Sequence, residues 1–580
     1  MFLKLLLPFL FLFPVTNNFS QTYITDVTIA DIENQKLIPH QTVIITGDKI
    51  LKIQPADKVN IPANAVVIDG KGKYLFPGLT DAHVHFSQTG GLYTRPDAID
   101  LREFKPYREE IDWSHEHMEE VLRRYLQAGI TTVIDVGTTV NFLKQREQFK
   151  DASYSPSIYM AGPLLTTYEP DAFKSLNDDS PFNLVTSIED AKKAIALQLV
   201  YHPDLLKIWY IVGQDTSDIE ASARNYLPIV KTIIEEAHRH DLKIAIHATE
   251  RITAQLSVEN GCDYLVHSID DEILPDDFVK LLKKKKTILC PTLIVHDGYV
   301  NTFGQNLIMT SHDLRIGDPF QLGSLLDLKH IADTVLVKNY RTYSNTPEMQ
   351  ARSKTSNDNM RINLKKLSDG GVTIATGTDA GNIGTLHASS YMAELKAMQE
   401  SGMTNWQILQ ASTMNGAKVL DKENDFGTIT EGKKANLILL DANPVENLDN
   451  LTKIHRVINK GKFIDPDTLI RETPEALVQR QLNAYNFRNI EAFLETYADD
   501  VEVYDDKDHL LYKGKEEMRK IYSKRFDNTP GLHCEILNRT IQGNVVIDKE
   551  HVQLGDDHFI EGVVMYQVEE GKIKKVYLTR

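Results

Sequence analysis

Between residues 22 and 75 apolar and polar positions alternate, as in Thr42-Val43-Ile44-Ile45, and the run is broken by Gly47-Asp48 before Lys49-Ile50-Leu51-Lys52-Ile53. Alternation sends successive side chains to opposite faces of a strand, and a Gly-Asp pair between β-branched runs predicts a hairpin. The same texture returns near residue 427, in Gly427-Thr428-Ile429, in Ala435 to Leu440 and in Val457 to Lys462. The two β-rich flanks, 22–75 and 427–465, are expected to make one composite β-sandwich that brackets a long middle.

The middle, 76–426, alternates strand-like apolar runs with helical stretches. Candidate strands are Leu79–His85, Thr131–Val136, Ser157–Ala161, Leu205–Trp209, Lys243–Ala248, Tyr264–His267, Thr287–Thr292 and Val372–Thr378. Eight strands separated by helices predict a parallel α/β arrangement, and the count favours a closed (β/α)8 TIM barrel. An open doubly wound sheet would call for a Gly-rich phosphate loop after its first strand, and the sequence has none. Residues 301–360 are polar and helical in pattern, an elaborated loop and helix before the eighth strand. From 467 to 580 the order changes: Thr473-Pro474-Glu475 opens a helix through Leu477, Val478, Leu482 and Tyr485, and strand-like runs follow from Val501 to Leu578. Helices first and strands last predict a separate α+β domain.

A chain of 580 residues exceeds what one core sustains, which agrees with several domains. Its net charge of −17 and the absence of Lys and Arg clustered with aromatics exclude a nucleic-acid partner. The one basic run, Lys283 to Lys286, reads as the solvated end of a helix. Residues 1–21 are different in character: Lys4, an apolar run from Leu5 to Val15, then Thr16-Asn17-Asn18 and Phe19-Ser20-Gln21. That is the layout of a secretory signal peptide, with an uncleaved anchor as the alternative. No other segment is apolar for long enough to span a bilayer, so an exported, periplasmic protein without stable membrane insertion is expected. Cys262, Cys290 and Cys534 are too few for a disulfide frame, and the first two read as buried small hydrophobes.

Functional side chains of a barrel sit at the C-terminal ends of its strands. The first candidate strand ends in His83 and His85, whose i, i+2 spacing puts both imidazoles on one face. The fifth ends in His247, the sixth in His267 and the eighth in Asp379, while Lys207 lies inside the apolar fourth strand, where a bare ammonium is costly to bury. One shared metal-binding centre would demand this placement.

The segments PGLTDAHVH, GITTVIDVG, LLKIW, IHATE, YLVHS and ATGTDAG together resemble the metal-dependent amidohydrolase superfamily, in its imidazolonepropionase-like and prolidase-like branch. The resemblance spans roughly 22–465. It implies that His83, His85, His247 and His267 bind metal, that Asp379 binds one ion and shuttles a proton, and that Lys207 is carboxylated to bridge two divalent ions, with zinc expected. It implies hydrolysis of amide, peptide or cyclic amide bonds in a small-molecule substrate by a metal-bridged hydroxide. His247-Ala248-Thr249-Glu250 also resembles mononuclear deaminases and imidazolonepropionase, in which Glu250 would handle the proton. A non-catalytic ligand-binding protein is the third reading. Residues 467–580 resemble the cone-shaped SnoaL-like and ketosteroid-isomerase-like fold, which would serve as an isomerase, a ligand holder or a homo-oligomer contact. Asp505 or Asp506 is its candidate pocket acid, with a solvated turn as the alternative.

Overall fold

The computed structural model describes residues 21–211, 218–555 and 558–579. The expected signal peptide, save Gln21, lies outside the described residues. Among those described, no helix is long and apolar enough to cross a membrane.

The two β-rich flanks join in a single eight-stranded sheet. Its order is Lys462–Ile464, Ile454–Asn459, Leu437–Leu440, Tyr74–Pro77, Thr22–Asp31, Lys36–Thr46 and Lys49–Pro55, with Val66–Asp69 beside Thr22–Asp31. The Gly47-Asp48 hairpin forms as expected, with Thr46 paired to Lys49. Strand Tyr74–Pro77 joins the flanks by pairing antiparallel with Leu437–Leu440, so the sheet runs two residues past the expected boundary at 75. Ile24, Val43, Leu75, Leu437 and Ile458 bury one shared face.

In the middle region, strands Leu79–Val84, Ile130–Asp135 and Ser157–Met160 form one parallel sheet. Leu205–Trp209, Lys243–His247, Tyr264–Val266 and Ile288–Cys290 follow one another in a second. Two short strands that the sequence pattern did not reveal, Leu164–Thr166 and Phe182–Leu184, add to the edge of this second sheet. A bridge from Ala161 to Leu205 connects the sheets. The expected eighth strand, Val372–Thr378, is not a regular strand. It makes isolated bridges, Ile374 to Leu289 on one side and Ala380 to Val84 on the other. Its hydrogen bonds include Ala375 N–H to Leu289 O (2.8 Å) and Ala82 N–H to Thr376 O (2.9 Å). Just past this segment Asp379 takes a left-handed φ of 57°, which no regular strand accommodates. One buried cluster draws side chains from all eight segments, among them Ala82, Ile134, Ala161, Leu205, Ala245 and Ala375. The larger apolar residues on the other face of the strands meet the surrounding helices, as Val133 and Ile208 do with Leu122 and Ile234.

Residues 301–360 are helical as expected, in five helices between Val295 and Asp369. In the C-terminal region Thr473 caps helix Pro474–Asn486 by accepting from Ala476 N–H, and Ile490–Glu495 follows. A six-stranded sheet comes after it. The expected order of helices then strands is interrupted by helix Lys515–Asn528, which lies between Leu510–Lys513 and His533–Gln542. The C-terminal helices do not stand apart from the rest. Leu477, Val478 and Leu482 share a core with Leu92, Ile99, Leu314 and Leu322.

Candidate active site

His83 and His85 follow each other at the end of Leu79–Val84, and both reach Asp379, which the loop after Val372–Thr378 delivers. Asp379 Oδ1 lies 3.1 Å from His83 Nε2 and 3.0 Å from His85 Nε2, and the two nitrogens are 3.3 Å apart. Among the described residues this is the one group of three such side chains whose ligand atoms all lie within 4.8 Å of one another. Two further ligand candidates stand beside it. The His267 ring is 4.9 Å from that of His83 and 4.3 Å from that of His247, and His267 Nδ1 is 3.8 Å from Asp379 Oδ2. Lys207, His85, His247, His267 and Asp379 line a single cleft of about 370 Å³, with His83 fully buried beneath it.

The local backbone is built for this convergence. Gly377 lets the last segment approach the first: a Cβ there would come within 2.5 Å of Cys290 Sγ and 2.7 Å of His83 Cβ. Asp81 accepts from Thr378 N–H at 3.0 Å and Thr378 Oγ1–H at 2.7 Å, which ties the same two segments together. His267, Thr292 and Asp379 all have positive φ, of 77°, 45° and 57°. Strained conformations in three neighbouring non-glycine residues are held only where surrounding structure enforces them, and they gather at functional sites.

Electrostatics favour a cation among these groups. His85 Nδ1 faces the carbonyl oxygen of Gly137 at 2.8 Å, so it carries the proton and Nε2 presents a lone pair toward Asp379. Asp379 Oδ1 is buried and receives no properly directed hydrogen bond from either ring. A lone pair and a carboxylate oxygen this close repel unless positive charge lies between them, so the residues present fit a divalent ion. Burial pushes the His83 imidazole down to about 4, against the pull of Asp379, which keeps it in the neutral form that binds metal. Burial likewise brings the Lys207 amine down to about 8, partly offset by Asp379. Among the described residues Lys207 has no hydrogen-bond or ion-pair partner, so its amine faces the cleft unengaged.

Glu250 is not brought to this group. It precedes helix Arg251–Glu259 with its carboxylate accepting from Thr253 Oγ1–H at 3.0 Å, and it does not line the cleft. His387 is buried against Phe86 and bonded to Tyr125 and Gln88, and the Tyr210 hydroxyl donates to Ala223 O. Three cleft residues went unread in the sequence: Arg95, Tyr299 and Asn382, with Arg95 Nη1 and the Tyr299 hydroxyl both donating to Asn382 Oδ1 at 2.6 and 2.8 Å. Thr292, whose hydroxyl is 2.8 Å from His267 Nδ1, was a fourth. Asp505 makes a turn, accepting from the N–H groups of Lys507 and His509, and neither it nor Asp506 lines a described cavity of the C-terminal domain.

Residues 74–464 match the amidohydrolase family, two-thirds of the chain. The chain belongs to the amidohydrolase family. As a member it is a metal-dependent hydrolase acting on carbon–nitrogen bonds. Residues 478–576 match the SnoaL-like domain, so an amidohydrolase unit is followed by a SnoaL-like one. The 5-methylthioadenosine/S-adenosylhomocysteine deaminase of Carboxydothermus hydrogenoformans is 23% identical over 481 residues, covering 79% of this chain and 93% of its own. The imidazolonepropionase of Alkaliphilus metalliredigens is 21% identical over 476 residues, 75% of this chain and 92% of its own. Among solved structures, a Xaa-Pro dipeptidase with bound methionine superposes with a TM-score of 0.57 at 20% identity, over 77% of this amidohydrolase chain and 100% of its own. Molinate hydrolase gives 0.58 at 17% identity, over 78% and 97%. At such identities the structures speak for a shared fold.

Proposed function

We propose that this amidohydrolase is an exported enzyme that hydrolyses amide, peptide or cyclic amide bonds at a centre of two divalent ions, zinc by expectation. The centre would be held by His83, His85, carboxylated Lys207, His247, His267 and Asp379, in a closed (β/α)8 barrel that spans 76–426. The observation that carries this reading is the convergence of His83, His85 and Asp379 on one point, with Lys207, unpartnered among the described residues, facing the same cleft. Ions bound there would polarise the scissile carbonyl and lower the pKa of a water toward neutrality. Lys207 is suited to carboxylation because burial raises the share of neutral amine able to react with carbon dioxide. Asp379 is the group placed to accept a proton from the attacking water and to return it to the leaving nitrogen. Leu164, Phe182 and Trp209 form an apolar wall, and Arg95, Tyr299 and Asn382 a polar one, in a space sized for a small molecule.

The mononuclear reading requires Glu250 in the cleft, and its bond to Thr253 favours two ions instead. The C-terminal residues 467–580 would form a cone-shaped unit that also supports homo-oligomers, since Leu537, Ile541, Phe559 and Val563 of its sheet are exposed apolar side chains. Screening the purified chain against dipeptides, N-acyl amino acids and cyclic amides tests the activity. Hydrolysis that is lost on chelation, restored by zinc and absent in His83→Ala is expected. Activity indifferent to both chelation and His83→Ala would refute the metal mechanism, and complete inactivity of the metal-loaded chain would favour a binding protein. Mass spectrometry of the secreted product should find residues 1–21 or a close cut removed.

A further inference from the structure

Between the short strands Leu164–Thr166 and Phe182–Leu184 the chain makes an excursion over 167–181, with single turns at Asp171–Phe173 and Asn177–Asp179. Asp179 pins it down. Its carboxylate accepts from Arg108 Nη1 at 2.8 Å and Asn141 Nδ2 at 2.7 Å, and lies 3.2 Å from His115 Nε2. The excursion delivers Phe173 to the hydrolytic cleft, and the strand after it delivers Phe182. With Leu164 these two make an apolar cluster apart from the main core, and Trp209 packs against it. The Phe173 and Phe182 rings are 5.2 Å apart, and those of Phe182 and Trp209 are 5.1 Å apart. Trp209 in turn meets the His247 ring edge to face at 6.1 Å. A row of rings that starts beside His247 and lines the cleft offers faces and edges on which one more ring can pack.

The proton fixes which end of a substrate meets that row. In the hydrolysis proposed above, water adds its oxygen to the carbonyl carbon, the C–N bond breaks, and Asp379 returns a proton to the leaving nitrogen, so the amine part lies beside Asp379. The side chains there are polar. Asn382 Nδ2 donates to Asp379 O at 3.2 Å, and Arg95 and the Tyr299 hydroxyl both donate to Asn382 Oδ1. Trp209 comes from the opposite side. From Leu205–Trp209 the pairing runs one way through Lys243–His247, Tyr264–Val266 and Ile288–Cys290, and the other way through Ser157–Met160, Ile130–Asp135 and Leu79–Val84; both routes end on the segment that carries Asp379. The acyl part, across the scissile bond from the nitrogen, therefore faces Trp209, Phe182 and Phe173. An apolar ring gains by leaving water for such a wall, and a small acyl group leaves the wall unfilled.

We propose that Phe173, Phe182 and Trp209 select amides whose acyl group carries an aromatic ring, of the arylacetyl kind, with a small polar amine beside Asn382; this rests on the hydrolytic reading above. Hydrolysis then releases an arylacetate and the free amine. Binding of the product acid tests the wall without turnover. Calorimetric titration of the zinc-loaded full chain should find phenylacetate bound at least tenfold more tightly than acetate, and Phe182→Ala should bring the two affinities within threefold of each other. Phenylacetate bound no more tightly than acetate, or a preference that Phe173→Ala and Phe182→Ala both leave intact, would overturn the proposal. Should the variants fail to fold, crystals of the unaltered chain with 4-bromophenylacetate decide: bromine density beside Phe182 and Trp209 supports the wall, and density only elsewhere overturns it. Turnover tests the orientation. N-phenylacetylglycine should exceed N-acetylphenylalanine at least tenfold in kcat/KM, and the reverse order would overturn the assignment of the wall to the acyl group. Absence of any hydrolysis while phenylacetate keeps its preference would sink the hydrolytic reading and uphold the ring-binding wall.

Discussion

At the scale of single residues, Asp379 carries the most weight, since it touches both His83 and His85 and stands at the end of a strained turn. Asp379→Asn keeps the shape and removes both the charge and the proposed proton acceptor, so kcat should fall by about 10²- to 10⁴-fold, the usual range for a lost general base. Steady-state kinetics that match the parent would remove Asp379 from the chemistry. Glu394 makes a prediction about pH. It is fully buried, accepts from Leu293 and Ile294 N–H at 3.0 and 3.2 Å, and burial, with repulsion from Asp81 and Asp379, raises it from 4.5 to about 8. Between those values the folded chain holds a proton that the unfolded chain has lost. Stability therefore falls as pH rises from about 4.5 to about 8, by up to about 1.4 kcal/mol per unit. Glu394→Gln should flatten that part of the dependence, read as melting midpoints at pH 5 and pH 8, and an unchanged difference would contradict it. His83, His85 and Lys207 were legible because polar residues inside apolar strands stand out. Thr292, Asp81 and Arg95 were not, because their roles come from neighbours far away in the chain.

At the scale of elements, the approach of Val372–Ala380 to Leu79–Val84 sets the site. Gly377→Ala places a Cβ into Cys290 Sγ and the His83 backbone, an overpacking that costs about 1–3 kcal/mol. We expect a melting point several degrees lower and weaker metal retention, while Gly555→Ala, where a Cβ meets nothing within 4 Å, should change neither. Equal behaviour of the two variants would mean that the contact is slack. Strands ending in histidine could be read from short apolar runs flanked by helical stretches. Leu164–Thr166 and Phe182–Leu184 escaped because three residues carry no period, and the charged residues of Lys515–Asn528 masked its apolar stripe of Met518, Ile521, Tyr522 and Phe526.

At the scale of the whole molecule, the two matched units share a core. Asn483 Nδ2 donates to Pro319 O at 2.7 Å, and Leu92 N–H donates to Ser324 Oγ at 3.1 Å, so helix Pro474–Asn486 backs the loop that leads to Arg95. Deleting 467–580 would expose Leu92, Ile99, Leu314 and Leu322. The shortened chain should melt well below the full one and lose activity, and an equally stable, fully active fragment would show that the domains are independent. Sequence patterns marked two units but gave no sign of this interface, since apolar positions that face another domain have the same period as those that face their own core.

The central claim is that six residues hold two ions, and metal counting tests it most directly. Plasma mass spectrometry of the chain loaded with zinc in the presence of bicarbonate should find about two ions in the parent and about one in Lys207→Ala. One ion in both would contradict a bridging Lys207 and return Glu250 and the mononuclear mechanism to consideration.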